Sequence, residues 1–327
     1  MFSNQALKKL IIPLVIEQLL VILVGFCDTI MVSSVGEAAV SAVSLVDSIN
    51  VLLINVFAAL GTGGAVVAAQ FIGQGSLEKA RFSAKQLLLI TAILSLIIMG
   101  VILLFNTSIL HLAFGNVDSG VMNNAETFFL VSALSYPFIA LYNSGAALFR
   151  AIGNSKISMI TSAIMNVINI IFNTIFIFGL KLGVLGSGLA TLIARMVCCI
   201  VILKCLTNKD NNLYVDDYRH WKFDLVYIKK ILTIGIPSGL ENGMFQFGKI
   251  LVQSLVATFG TYAIAANAVS NNLAQMQIIP GMAMSLAMVT VVGQCVGAND
   301  YKQAKYYIKK LLKITYLATI SAVILVL

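Results

Sequence analysis

Charged residues are scarce in this sequence. They make up 10% of the 327 residues, whereas hydrophobic residues make up 59%. A soluble domain carries about 25% charged residues, so most of this chain must lie in lipid or inside a membrane-embedded bundle. Its apolar runs are long and continuous, which is typical of spanning helices of about 20 residues rather than of short alternating strands. The composition therefore predicts an all-α integral membrane protein, a polytopic helical bundle.

Residue types of catalytic and metal sites are also few. The two histidines, His111 and His220, lie apart in predicted loops, and the five cysteines show no C-x-x-C spacing. The sequence contains no glycine-rich phosphate loop and no evident nucleophile–base pair. We therefore expect neither an enzyme nor a resident metal or cofactor. The net charge of +8 does not indicate a nucleic-acid partner, because membrane proteins retain Lys and Arg on cytoplasmic loops.

Nine apolar segments, separated by short polar links, predict nine membrane spans. Their bounds are about 10–34, 43–72, 86–110, 124–149, 156–180, 184–206, 228–258, 264–296 and 306–327. The longest link, residues 207–227, is polar and predicts a solvated cytoplasmic connector. It would join an N-terminal lobe, residues 1–206, to a second lobe, residues 228–327.

The distribution of positive charge predicts the orientation. If the N-terminus lies in the cytoplasm, 18 of the 21 Lys and Arg residues fall on inside loops or on inner helix ends. Cytoplasmic loops of membrane proteins carry such an excess. We therefore expect a multi-pass protein of the cell membrane, the inner or plasma membrane, with a cytoplasmic N-terminus.

The chain repeats itself after a shift of 224 residues, without a gap. The matched pairs include Pro13 with Pro237, Glu17 with Glu241, Gln70 with Gln294, and Gly73 with Gly297. Six spans precede the second copy, so both copies have the same orientation. Parallel repeats in transporters are related by an axis along the membrane normal, and substrate passes between the halves. The sequence thus predicts two parallel-repeat lobes of six helices, the second of which is incomplete.

Two carboxylates in the first span differ in their predicted roles. Charged residues inside a span are costly and mark candidate functional sites. Glu17 and Asp28 are eleven residues apart, which places both on one helix face, three turns from each other. Glu17 recurs as Glu241, which favours a structural role. Asp28 is replaced by Val252 in the second copy, which favours a function specific to the first lobe.

Other polar residues in spans leave alternatives open. Asn166, Asn169 and Asn173 share one face of the fifth span, either as contacts between helices or as ligands of a cation. Asp47 is predicted near the start of the second span, at the membrane interface. Arg195 either pairs with an acid or extends its charge to the interface.

A further group comprises possible cleft or structural residues. Lys249 is either the counter-charge of an acid across the cleft or a substrate contact. Pro13 and Pro237 either shape their helices or act as hinges. Gln70 and Gln294 occupy equivalent positions of the two copies.

The motifs of both copies resemble one transporter family. The first copy contains P-x-x-x-E-Q-L-L, D-T-I-M-V, G-T-G-G-A and A-Q-F-I-G in this order, and the second begins with G-I-P-S-G-L-E-N. They resemble the multidrug and toxic compound extrusion family. The resemblance implies twelve helices in two lobes, of which this chain holds the first lobe and half of the second. It also implies a monomer that exports small amphipathic, often cationic, compounds in exchange for H⁺ or Na⁺, without a cofactor.

The resemblance also implies a cation-coupling site. Asp28 matches the acid of the family's first span. Asn169 and Asn173 match the polar positions of its fifth-span motif, and Thr191 matches the Thr of its sixth-span motif. Some sodium-coupled members carry a further acid in span 7, where this chain has Phe245. The Asn at position 173 removes one carboxylate, which leaves the choice between H⁺ and Na⁺ open.

The sequence leaves two other functions as alternatives. A flippase for lipid-linked precursors, from the same superfamily, would need several arginines in its cleft to bind phosphates, and only Arg195 and Lys249 lie within spans. An inactive fragment is the other alternative. We expect the partners to be small-molecule substrates and the lipid bilayer.

Overall fold

The chain folds into helices throughout the part described by the structure, a computed structural model covering residues 2–115, 118–215, 223–257 and 261–326. Within these ranges there are nine helices and no strand. They are α1 (Asn4–Ser33), α2 (Glu37–Gly73), α3 (Leu77–Phe114), α4 (Ser119–Ala151), α5 (Ser155–Asn173), α6 (Gly183–Leu206), α7 (Leu225–Ala257), α8 (Thr261–Gly297) and α9 (Tyr301–Val326). A π-helical turn, Thr174–Gly179, continues α5. The predicted all-α membrane class is confirmed.

Most of these helices can cross a membrane. In the described ranges, seven are long and apolar enough to do so, namely α1 to α6 and, through its part Gln277–Gly297, α8. The remaining two, α7 and α9, match the predicted seventh and ninth segments in position. Each helix begins before the apolar run that predicted it, because helical hydrogen bonding starts in the residues that precede that run.

Helix α2 begins earlier than its apolar run indicates. The preceding Gly36 has a φ of 135°, a conformation that favours glycine, and the helix starts at Glu37. Asp47 therefore lies about three turns inside α2. The prediction that Asp47 is near a helix start is wrong, because residues 37–42 form the first turns of α2 rather than part of a loop.

The first six helices pack around α2 and α4. Helix α2 contacts α3 and α4, α4 contacts α6, and α5 packs between α1 and α6. Large side chains at the centre are fully buried, among them Phe57, Phe129, Tyr136, Leu148 and Phe149. In a membrane such packing stabilises helices mainly through van der Waals contact, since lipid tails are as apolar as the side chains.

Residues 213–215 of the connector are docked against the bundle rather than solvated. Leu213 and Val215 are fully buried, and the Arg81 guanidinium lies 3.9 Å from the centre of the Tyr214 ring. Arg81 also donates a hydrogen bond to the Asn212 carbonyl. The expectation of a fully solvated link is wrong for these residues, because its few apolar side chains attach it to α3 and its neighbours. Residues 216–222 of the predicted connector lie outside the described part of the chain.

Helices α7 to α9 join the first six at one end of the bundle, here called the base. The base is formed by the start of α1 and by the turns that precede α3, α5 and α9. There α2 crosses α8 so closely that a side-chain carbon at Gly73 would overlap the Gln294 carbonyl. A carbon at Gly297 would likewise overlap the Gln70 carbonyl. The contact is reciprocal, and its partners are related by the 224-residue repeat.

Contacts between the first six helices and α7 end about halfway along α2. Gly63 lies against the backbone of Ile231 and Gly235, and a carbon at Gly239 would touch Ala59. Beyond Gly239, the side chains of α7 for which the structure gives an exposure are exposed or half-buried, and Phe245 is 64% exposed. Helix α7 therefore separates from α2 toward the end opposite the base.

Candidate functional site

The four residues of the predicted coupling site form one chain of hydrogen bonds across three helices. The Asn173 amide on α5 donates to Asp28 Oδ1 on α1 over 2.7 Å and to Asn169 Oδ1 over 3.0 Å. The Asn169 amide donates in turn to Thr191 Oγ1 on α6, over 3.2 Å. Asn169 and Asn173 are buried, whereas Asp28 and Thr191 are partly exposed. The cluster is thus anchored in the bundle and reachable at one side.

Local helix geometry positions the two asparagines. They are four residues apart on α5, which places them one turn from each other on one face. The π-helical turn Thr174–Gly179 begins directly after Asn173. Such turns widen a helix and occur frequently at functional sites. The sequence does not predict this turn, because residues 174–179 have the apolar composition of an ordinary membrane span.

One oxygen of the cluster lacks a partner. Among the described residues, no group donates a hydrogen bond to the buried Oδ1 of Asn173. A buried polar atom left in this way destabilises a fold by about 1–3 kcal/mol. The same Asn173 side chain is hydrogen-bonded to the Asp28 carboxylate, and the cluster also includes the Asn169 amide oxygen and the Thr191 hydroxyl oxygen. Hard cations prefer oxygen ligands of this kind, so the donor set fits a sodium ion as well as a proton.

A second polar group, on α2 and α4, lies close enough to act on Asp28. The Tyr136 hydroxyl donates to Asn50 Oδ1 over 2.6 Å, and the Asn50 amide donates to Asp47 Oδ1 over 3.1 Å. Asp47 interacts electrostatically with Asp28. Sequence reasoning missed this group. The spacing of Asp47 and Asn50, three residues apart within an apolar run, was the available signal.

Arg195 brings a positive charge to the same region. It lies one turn beyond Thr191 on α6, and it interacts electrostatically with both Asp28 and Asp47. Its guanidinium donates to Ser135 Oγ over 2.7 Å. Within the described residues it forms no hydrogen bond with either carboxylate. Arg195 therefore neither extends away from the cluster nor closes a direct ion pair with an acid.

The other carboxylate of α1, Glu17, has a different environment. It is 6% exposed and forms an ion pair with Arg150 over 3.0 Å. The Ser158 hydroxyl also donates to it, over 2.7 Å. Glu17 therefore connects α1 to α4 and α5, which is the structural role that its recurrence in the repeat favours.

Hydrogen bonds follow the contact between α1 and α5 along its length. Ser155 Oγ donates to the Leu10 carbonyl over 2.6 Å, and the Asn166 amide donates to the Leu20 carbonyl over 2.8 Å. Asn166 is thus a contact between helices. Ser155 Oγ also lies 3.4 Å from the Lys9 carbonyl, which Pro13 leaves without its usual helical donor.

The remaining candidate residues lie away from the cluster. Gln294 donates to the Ala151 carbonyl at the base over 2.7 Å, beside the crossing that also involves Gln70. On α7, Glu241 and Lys249 are exposed, and the Lys249 ammonium lies 5.1 Å from the centre of the Phe245 ring. Pro237 is exposed on the same helix, between two glycines that contact α2.

A family model matches most of the chain. The model described as MatE matches residues 13–175 and again residues 237–327. The two matched segments begin 224 residues apart, which is the shift of the internal repeat. The family model therefore recognises both copies.

Relatives among curated proteins are bacterial transporters. The chain is 28% identical over 318 residues to the uncharacterized transporter YisQ of Bacillus subtilis, covering 93% of this chain and 69% of that protein. It is 27% identical to the multidrug export protein MepA of Staphylococcus haemolyticus, covering 88% of this chain and 63% of that protein. The chain thus spans about two thirds of the length of these relatives, and 60% of the probable multidrug resistance protein YoeA of Bacillus subtilis.

Solved structures share the fold. A multidrug resistance MATE family transporter of the MOP superfamily, in an outward-facing conformation, superposes with a TM-score of 0.92 at 25% identity, covering 98% of this chain and 71% of that one. A MOP superfamily transporter from Pyrococcus furiosus superposes with a TM-score of 0.87 at 24% identity. With the family match over both copies of the repeat, these findings show that the chain belongs to the MatE family of multidrug and toxic compound extrusion transporters.

Proposed function

We propose that this chain acts in a cation-coupled antiporter that exports small amphipathic, often cationic, compounds in exchange for H⁺ or Na⁺. The observation that carries the proposal is the hydrogen-bonded chain from Asp28 through Asn173 and Asn169 to Thr191, with its unpartnered amide oxygen. The relatives described as multidrug export proteins support the outward direction of transport and the proposed class of substrate.

The cluster can exchange its cation because Asp28 is held by a neutral partner. Its hydrogen bond comes from an amide, so a proton or a sodium ion can neutralise the carboxylate without displacing a paired charge. A cationic substrate would compete for the same negative charge, or for the arrangement of helices that the charge favours. Such competition couples the two binding events, and the coupling acts equally in both directions.

Arg195 sets the net charge of the cluster. Two carboxylates, Asp28 and Asp47, face one guanidinium, so the cluster carries a single net negative charge when both acids are ionised. One monovalent cation is then sufficient to neutralise it. This balance supports exchange of one H⁺ or one Na⁺ per cycle at this site.

The proposal includes an orientation in the cell membrane. The base would face the cytoplasm, since 18 of the 21 Lys and Arg residues then lie on that side. A single cysteine introduced at Ser76 in a cysteine-free background should react with an impermeant thiol reagent only after the cells are opened. A cysteine at Ser119 should react in intact cells. Labelling of Ser76→Cys from outside would refute the orientation.

Ion-driven efflux by the full-length protein in proteoliposomes tests the coupling. A fluorescent organic cation is loaded, and Na⁺ and pH gradients are applied separately. We expect Asp28→Asn to reach the membrane normally and to lose ion-dependent efflux by about tenfold or more, with Asp28→Glu intermediate. The matched control is Asp210→Asn, which removes an exposed carboxylate in the connector. Parent-like transport by Asp28→Asn would place the coupling site elsewhere.

A further inference from the structure

A groove between α1 and α5 at the base has the dimensions of a small-molecule site. Its volume is about 640 Å³, within the usual range for ligand pockets. Its lining includes Lys8, Lys9, Ile12 and Ile16 on α1, and Lys156 and Met159 on α5. We call this cavity the α1–α5 groove. It lies wholly within the first six helices.

The positive charge of the groove is not compensated within the described residues. Lys8, Lys9 and Lys156 are exposed, and no ion pair is formed by any of them in the described part of the chain. The nearest carboxylate along α1, Glu17, is already paired with Arg150. Three cations therefore surround one cavity and leave it with a strong attraction for anions.

On both helices that line the groove, the side chains change from charged to apolar with increasing distance from the base. Lys8, Ile12 and Ile16 are four residues apart and form one stripe on α1, about 12 Å long. On α5, Lys156 is followed one turn later by Met159 and Ile160. The charged ends of both stripes lie at the base, and the apolar ends point along the helices toward the opposite end.

The apolar stripes continue beyond the groove. Leu19 and Leu23 extend the stripe of α1 and are 43% and 55% exposed, while Val167 and Ile171 extend that of α5 at 56% and 50%. Exposed aliphatic side chains in a spanning helix face lipid tails or a cavity. A ligand with a charged head at the base could thus extend its hydrocarbon part upward without a break in apolar contact.

The start of α5 adds hydrogen-bond donors to the groove. Asn154 precedes the helix but does not cap it with its side chain, and both Asn154 and Ser155 line the cavity. The first backbone N–H groups of a helix lack partners within the helix and favour phosphate oxygens. These donors lie next to Lys156, so both features would act on the same anionic group.

We propose that the α1–α5 groove binds an anionic phospholipid, with the phosphate between Lys8, Lys9 and Lys156 and an acyl chain along Ile12 and Ile16. Basic pockets between spanning helices on the cytoplasmic side recognise such headgroups. The general excess of lysine on inner loops explains positive charge at the base. It does not explain three lysines around one cavity at the ends of two aligned apolar stripes. The bound lipid joins the two helices that carry Asp28 and Asn173, so it stabilises their contact.

Binding is measured on the full-length protein by native mass spectrometry and by thermal unfolding with added phosphatidylglycerol, phosphatidylcholine or inorganic phosphate. The test variant is Lys8→Gln/Lys9→Gln/Lys156→Gln. The matched control, Lys79→Gln/Lys204→Gln/Lys209→Gln, removes the same charge from exposed positions at the same end of the bundle. We expect phosphatidylglycerol affinity to fall about tenfold or more in the test variant and to remain near the parent value in the control.

Three further outcomes test the nature of the ligand. Ile12→Ser/Ile16→Ser should weaken phosphatidylglycerol binding, because it removes the apolar floor while leaving all three lysines. Equal losses in the lysine variant and its control would overturn the proposal in favour of general surface attraction. Stabilisation by inorganic phosphate equal to that by phosphatidylglycerol would overturn it in favour of a free anion.

Discussion

Glu17 and Asp28 lie on the same face of α1, three turns apart, yet their surroundings differ in kind. Glu17 is buried and bound by a guanidinium and a hydroxyl, at 3.0 Å and 2.7 Å. Asp28 is partly exposed and bound by an amide, while Arg195 remains attached to Ser135. A carboxylate with a charged partner holds helices together. A carboxylate with a neutral partner keeps its charge available to a mobile cation.

The largest expected effect is on stability at Glu17. Glu17→Ala leaves the half-buried Arg150 guanidinium, whose side chain is 15% exposed, without its counter-charge, which should lower the free energy of unfolding by about 3 kcal/mol. Thermal unfolding in detergent and membrane abundance measure the loss. Because the damage comes from the orphaned charge, Glu17→Gln/Arg150→Gln should recover part of it. If the double variant were no more stable than Glu17→Ala, the loss of stability would not come from the unpaired charge of Arg150.

The next effect is on cation affinity at the cluster. Arg195→Gln removes the positive charge that faces Asp28 and Asp47, so the cluster should bind Na⁺ or H⁺ about tenfold more tightly. The measurement is the ion concentration that gives half-maximal efflux by the full-length protein. Lys249→Gln is the matched control, since Lys249 is exposed on α7 and lies over Phe245. Equal shifts in both variants would show that Arg195 acts only through the overall charge.

A smaller effect is expected at the amide partners of Asp28. Asn173→Ala and Asn169→Ala remove neutral ligands and leave the carboxylate in place. Ion dependence should therefore weaken by a few-fold, about 1 kcal/mol for one hydrogen bond, and less than in Asp28→Asn. The assay is again efflux against Na⁺ and pH. If either alanine variant abolished coupling while Asp28→Asn retained it, the carboxylate would not be the central group.

The smallest effect should come from Asn166, which lies between the two carboxylates along the same helix contact. Asn166→Ala removes one hydrogen bond to the Leu20 carbonyl, and such bonds between membrane helices contribute about 0.6 kcal/mol on average. Unfolding should shift slightly, and the ion dependence of efflux should stay that of the parent. A change in ion dependence would make Asn166 part of the coupling site.

The sequence was sufficient for the helix class, the repeat and the face shared by Glu17 and Asp28. The spacing of residues along one helix determines which of them share a face, whichever helices pack against it. This spacing does not determine which helices pack against each other. The sequence therefore did not predict that Asp47 on α2 and Arg195 on α6 lie near Asp28 on α1. The resemblance to the family supplied that information for Asn169, Asn173 and Thr191 only. The π-helical turn after Asn173 was not predictable from a composition typical of any span.

The reciprocal crossing at the base has a consequence for how the two halves could separate. At Gly73 and Gly297 main chain lies directly on main chain, and no flexible side chain fills the space between α2 and α8. A small displacement there cannot be absorbed by a change of rotamer. The two contacts are equivalent under the repeat, so a motion that separates α2 from α8 at the base would release both together. We expect the base to exist in two discrete arrangements, closed or parted, with an abrupt transition between them.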